Sequence, residues 1–190
     1  MSAVSRYLNS MGGVMLLALP LWLLVRTLYL TFRRKTTRWY RELGLALLVL
    51  YLIGLASQTL TGGYALPDFS DLHVLWARTC QRWETGWGIN LTPGFTIRSM
   101  LEKGSHGQKI INLAGNVVIF APLGLLPPLL WRRCRHFWAA LGLSAGVSCL
   151  IEFLQLFVGR SVDVDDVILN TLGGLLGYLL FCLIPKKWLK

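Results

Sequence analysis

The sequence predicts an all-α polytopic integral membrane protein, a bundle of about five transmembrane helices, and three observations carry that expectation. Of 190 residues, 54% are hydrophobic and 15% charged, and the apolar residues fall in long blocks. A soluble core is instead built from short stripes interrupted by polar positions. Several blocks approach the ~20 apolar residues that cross a hydrocarbon layer. The basic residues cluster in alternate gaps between the blocks.

The first block covers about residues 11–32. It is longer than the ~7–15-residue core of a signal peptide. Arg33-Arg34-Lys35 follow it where a small-residue cleavage site would stand, so it reads as a retained helix. The second block covers 43–60, the third 110–131 and the fourth 137–158. The fifth, 167–184, is the shortest and is rich in glycine. The chain thus divides into 1–61, two N-terminal transmembrane helices with a basic loop, and 62–109, an extracytoplasmic interfacial segment. A three-helix core, 110–184, and a basic tail, 185–190, complete it.

A net charge of +10 in a soluble chain would suggest nucleic acid, but the placement of the charges argues against that partner. Arg33, Arg34, Lys35, Arg38 and Arg41 lie between blocks one and two. Arg132, Arg133 and Arg135 lie between blocks three and four, and Lys186, Lys187 and Lys190 follow block five. All three clusters fall on one side of a five-span chain. The positive-inside rule makes that side cytoplasmic, with the N-terminus outside and the C-terminus inside. Arg26, near the cytoplasmic end of the first span, is expected to snorkel. In 62–109, Trp76, Trp83 and Trp87 alternate with charge, which suits a segment at the level of lipid headgroups. The cysteines Cys80, Cys134, Cys149 and Cys182 have neither metal spacing nor an obvious partner, and His73, His106 and His136 have no metal spacing either. No cofactor is indicated.

The last three spans hold nearly all the unusual residues. Polar groups within a span are costly and generally face the bundle interior. Asn112 and Asn116 share a face of span three, and Glu152 and Gln155 share a face of span four. The loop Gly159-Arg160-Ser161-Val162-Asp163-Val164-Asp165-Asp166 then leads into span five, where Asn170 follows Asp166 by four. At ~1.5 Å rise per residue, Asn116 and Glu152 lie roughly 9 Å below the outer end of their spans, and Asn170 roughly 5 Å below. The expectation is a polar cavity open outward, closed below by a kink at Pro122. Close helix approach is expected at the small-residue pairs Gly142–Gly146 and Gly173–Gly177. Bland roles remain open for each residue. The two asparagines can simply link helices, Glu152 can pair with Arg160, and one aspartate can cap span five. Asp163, Asp165 and Asp166 are also candidate ligands for a divalent cation, though the loop lacks the full EF-hand pattern.

These residues resemble the VanZ-like family of bacterial membrane proteins. The matching elements are Asn112-Leu-Ala-Gly-Asn116, Phe120-Ala-Pro122-Leu-Gly124, Glu152-Phe-Leu-Gln155, Gly159 to Asp166, and Asn170-Thr171-Leu-Gly173-Gly174 with Gly177. Upstream, Asn90-Leu-Thr-Pro93 is similar to the family's Asn-Leu-x-Pro-Phe element, with Gly94 in place of the phenylalanine and Phe95 next. The resemblance covers about the last 100 residues. It implies a multi-pass protein of the bacterial cell membrane. The founding member is associated with resistance to teicoplanin, a lipoglycopeptide, and has much less effect on vancomycin.

Three functions follow as expectations. In the first, Asn112, Asn116, Glu152, Gln155, Arg160, Asp163, Asp166 and Asn170 form an outer-leaflet site. It engages an acylated glycopeptide or a lipid-linked cell-wall precursor, with membrane lipids as neighbours. In the second, the protein is an enzyme on a lipid or lipid-linked substrate. Glu152 is then the acid or base, with Asp163 and Asp166 as further catalytic candidates and Arg160 holding a phosphate or carboxylate. In the third, the cluster serves helix packing in a partner of another envelope protein.

Overall fold

The structure, a computed structural model, describes residues 3–33, 37–61, 72–103 and 106–185, with side chains at 3–10, 61, 103 and 106–112 excepted. Asn112 therefore has a described backbone only. Among these residues, five helices are long and apolar enough to cross a membrane. The chain separates into two compact units, Met1–Tyr64 and Ala65–Lys190.

The first unit is a helical hairpin of α1 (Ala3–Arg33) and α2 (Trp39–Ala56), extended by one π-helical turn, Ser57–Thr61. Gly54 marks its distal end. A Cβ there would meet the side chains of Met11 and Met15 at 3.0 Å, so the missing side chain sets the helix separation. At the other end, Arg26 makes a two-pronged ion pair with Glu42 at 2.6 and 2.8 Å. Its guanidinium also lies 5.1 Å from the Tyr29 ring centre. Arg26 thus finds its counter-charge on the neighbouring helix, where the sequence suggested snorkelling to water. A paired charge avoids most of the penalty of placing an isolated one in an apolar span.

The second unit contains α3 (Leu72–Thr85), β1 (Ile89–Asn90), α4 (Phe95–Lys103), α5 (His106–Leu130), α6 (Phe137–Phe157), β2 (Val162–Asp163) and α7 (Val164–Cys182). Helices α5, α6 and α7 form its core. α5 and α7 run parallel and touch through backbone: a Cβ at Gly173 would overlap the Val117 carbonyl, and one at Gly177 the Ala121 carbonyl. From the opposite side, Gly124 packs on Gly174 and the Tyr178 amide. Without a hydrophobic force between helices in lipid, such close backbone approach is the main source of packing energy. The helix α5 continues through Pro122, Pro127 and Pro128 and ends when Trp131 N–H bonds the Pro127 carbonyl at 2.8 Å.

α6 runs antiparallel to both. Its buried face is Ala140, Ser144, Ser148, Ile151, Glu152 and Gln155, and Ser144 nests against Gly174. The expected small-residue contact at Gly142–Gly146 is not made within the unit: a Cβ at either glycine would meet nothing within 4 Å. Ser144 and Ser148, one turn apart on the opposite face, supply the small surface that α7 meets. The connection between α5 and α6 is a short 3₁₀ turn, Arg132–Cys134, held where Arg135 Nε donates to the Pro128 carbonyl at 2.9 Å.

At the opposite end of the core, α6 closes on Gly159 in the left-handed region, φ +77°. Arg160 N–H then reaches back to the Gln155 carbonyl at 3.0 Å, a Schellman-type stop. The chain goes directly into β2, which pairs in parallel with β1, Ile89 opposite Val162 and Asn90 opposite Asp163. This two-residue ladder ties residues 72–103 to the core. α7 begins at Val164, three residues ahead of the block read from hydropathy, because its acidic first turn is polar but helical.

Candidate functional site

The site grows from the first turn of α7. Asp163 is its N-cap, and its Oδ1 accepts from the Asp165 N–H at 2.9 Å. That satisfies one of the free amides every helix start leaves. The same oxygen accepts from Asn90 Nδ2 at 3.0 Å, and Oδ2 accepts from Thr96 Oγ1 at 2.5 Å. Both carboxylate oxygens of Asp163 are therefore committed within the protein.

Asp165 is fully buried and points to a different helix. Its Oδ1 accepts from Gly94 N–H at 2.5 Å, and its Oδ2 from Thr96 and Ile97 N–H at 2.8 and 3.0 Å. These are the free amides at the start of α4, where helix geometry favours a negative charge. A carboxylate from α7 thus caps α4, and Gly94, at φ +79°, turns the chain so that this is possible. Asn90 braces the arrangement, donating also to Thr96 Oγ1 at 3.0 Å and accepting from Thr92 N–H at 3.1 Å. The Asn90-Leu-Thr-Pro93 element is accordingly a clamp that seats residues 89–97 over the end of α7.

Two carboxylates are left with spare capacity. Glu152, 6% exposed, accepts the Asp163 N–H on Oε2 at 2.8 Å. Asp166 accepts from Asn116 Nδ2 on Oδ1 at 2.6 Å, linking α5 to α7. Among the described residues, the second oxygen of each accepts nothing. Glu152 meets the N-cap residue of α7 and Asp166 lies in the turn that follows, so both carboxylates stand at the start of that helix. Glu152, Asp166 and Asn116 are thus brought to the start of α7, and Arg160 lies in the turn that leads into it.

Asn170 is not at that level. Its Nδ2 donates to Ser148 Oγ at 2.9 Å, one turn deeper on α6 than Glu152, so it bridges helices in the core. Gln155 is buried beside the end of α6, where its carbonyl serves the helix stop. Among the described residues, no group of three or more His, Cys, Asp or Glu side chains is arranged to hold a metal ion. Asp163 and Asp165 have their oxygens turned to amides and hydroxyls instead.

Sequence reasoning gave no role to Arg82, Thr96 or Ser148. Arg82 is buried on α3 and donates to two carbonyls at the end of α6, those of Leu156 at 2.7 Å and of Arg160. Burial lowers its pKa below the ordinary arginine value, yet leaves it charged at neutral pH. No local pattern marks it, since it is one of several arginines in a mixed segment. Thr96 and Ser148 are ordinary small polar residues whose partners come from distant sequence.

Taken together, five apolar helices and a polar cluster at one end of α5, α6 and α7 describe a helical membrane protein. The sequence model of the VanZ/LLP1 family matches residues 45–185, from α2 through α7. The chain belongs to the VanZ/LLP1 family. No curated protein and no solved structure matches it.

Proposed function

We propose that this protein acts at the outer face of a bacterial cell membrane, where Glu152, Asp166, Asn116 and Arg160 engage a lipid-linked envelope precursor or an acylated glycopeptide of the teicoplanin type. The observation that carries the reading is the pair of carboxylates, each with an oxygen uncommitted among the described residues, at one end of an apolar bundle with Arg160 in the adjoining turn. Such a set accepts hydrogen bonds from amines, amides and hydroxyls, and Arg160 adds a positive charge in the adjoining turn. An acyl chain lying along the neighbouring spans would add ~0.8 kcal/mol per buried CH₂. That supports a preference for an acylated drug over vancomycin.

The charge distribution supports the orientation. Within the second unit, Arg132, Arg133 and Arg135 fall at the end away from the site, which suits a cytoplasmic end under the positive-inside rule.

The experiment is direct binding to the full chain in nanodiscs, with teicoplanin, vancomycin and an undecaprenyl-linked precursor as separate ligands. Saturable binding of an acylated ligand, weakened in Glu152→Gln and Asp166→Asn, is the expected result. No affinity for any of the three would remove the reading. The neighbouring carboxylates also favour a second reading, an enzyme on a lipid-linked substrate with Glu152 as acid or base. Turnover of the precursor by wild type, abolished in Glu152→Gln while binding persists, would select it.

A further inference from the structure

α3 lies against the end of α6 and exposes Trp76 and Trp83. Its buried edge is Thr79 and Arg82. Arg82 is only 8% exposed, yet no Asp or Glu pairs with it among the described residues. Its partners are the two carbonyls at the end of α6, and its Nε–H has none among the described residues. A helix C-terminus offers roughly half a negative charge, so net positive charge remains there. Arg78 stands one turn before it on the same helix and is exposed.

Beside these arginines, a cavity of about 530 Å³ opens between α3 and the end of α6. Leu75, Leu156 and Phe157 give it apolar walls, Thr85 and Trp87 line it further, and no carboxylate does among the described residues. The Trp87 ring lies 5.8 Å from the Arg82 guanidinium carbon. A buried cation with no counter-charge among the described residues, a second cation at the rim and an apolar wall together describe the complement of an anionic amphiphile.

We propose that this cavity binds a phosphate-bearing anionic lipid from the leaflet at this end of the core. Arg78 and Arg82 hold the headgroup phosphate, and the first methylenes of the chains lie on Leu75, Leu156 and Phe157. A cavity of this size takes a headgroup and a few methylenes, while the chains continue along α6 into the bilayer. The apolar wall favours a lipid over free phosphate. The residues lining the cavity include none of Glu152, Asp166, Asn116 and Arg160, so this site stands or falls apart from the function proposed above.

The test is native mass spectrometry of the full chain in a neutral detergent, with short-chain phosphatidylglycerol, short-chain phosphatidylcholine and glycerol phosphate added separately. Both lipids carry a phosphate, but only phosphatidylglycerol bears net charge. Phosphatidylglycerol should be retained about tenfold better than phosphatidylcholine, a difference of one good charge-assisted contact. Arg78→Gln should remove most of that preference without changing the thermal midpoint, and Arg132→Gln, at the far end, should not. Equal retention of the two lipids would overturn the proposal. So would an equal loss in Arg132→Gln, which would reduce the effect to general charge, or retention unchanged in Arg78→Gln. Competition by glycerol phosphate at equal concentration would overturn the assignment to a lipid.

Discussion

At the residue scale, the acidic loop divides by partner. Asp163 and Asp165 face backbone amides and small polar side chains, whereas Asp166 and Glu152 each keep an oxygen uncommitted among the described residues. Asp165→Ala would leave three amides at the start of α4 without acceptors. With hydrogen bonds to a charged group worth about 1.5–3 kcal/mol each and some water re-entering, a loss of about 3 kcal/mol is expected. It is read as a lower thermal midpoint in detergent, and an unchanged midpoint would remove Asp165 from its capping role. Glu152→Gln keeps an acceptor oxygen for the Asp163 amide, so its stability should change by less than about 1 kcal/mol. The sequence made all four acids conspicuous because charge near a span is rare. It did not separate them, since their partners, Gly94 and Thr96 for one and Asn116 for another, lie 50 or more residues away.

At the element scale, two glycine pairs of identical spacing have different surroundings. Gly177 faces the Ala121 carbonyl with no room for a side chain, while Gly146 faces open space. Gly177→Leu should therefore separate α5 from α7 at a cost of about 3 kcal/mol or more. Gly146→Leu should be neutral or stabilising by up to about 1 kcal/mol. Folded yield after size exclusion, compared for the two variants, checks this; equal behaviour would mean that the α5–α7 contact is misassigned. Spacing alone could not rank the pairs, because Gly-xxx-Gly states that a helix has a smooth face and not which neighbour uses it. The spans themselves were legible because hydropathy is summed over about 20 residues. The fold of residues 72–103 was not: its helices are short, its strand is two residues long, and its register depends on contacts with the α6–α7 turn.

At the scale of the whole molecule, the proposed function requires an orientation that puts the α6–α7 turn outside the cell. The orientation is checked by cysteine labelling in a variant with Cys80, Cys134, Cys149 and Cys182 replaced. An impermeant maleimide added to intact cells should label Ser161→Cys and spare Arg133→Cys, and the reverse pattern would move the site to the cytoplasmic face. The site is tested most directly by antibiotic susceptibility in a sensitive Gram-positive host, with teicoplanin beside vancomycin. Wild type, Glu152→Gln and Asp166→Asn are expressed at matched membrane levels. Selective protection against teicoplanin by wild type, lost in both variants, is the predicted result. Protection retained in both variants, or none from a folded wild type, would contradict it.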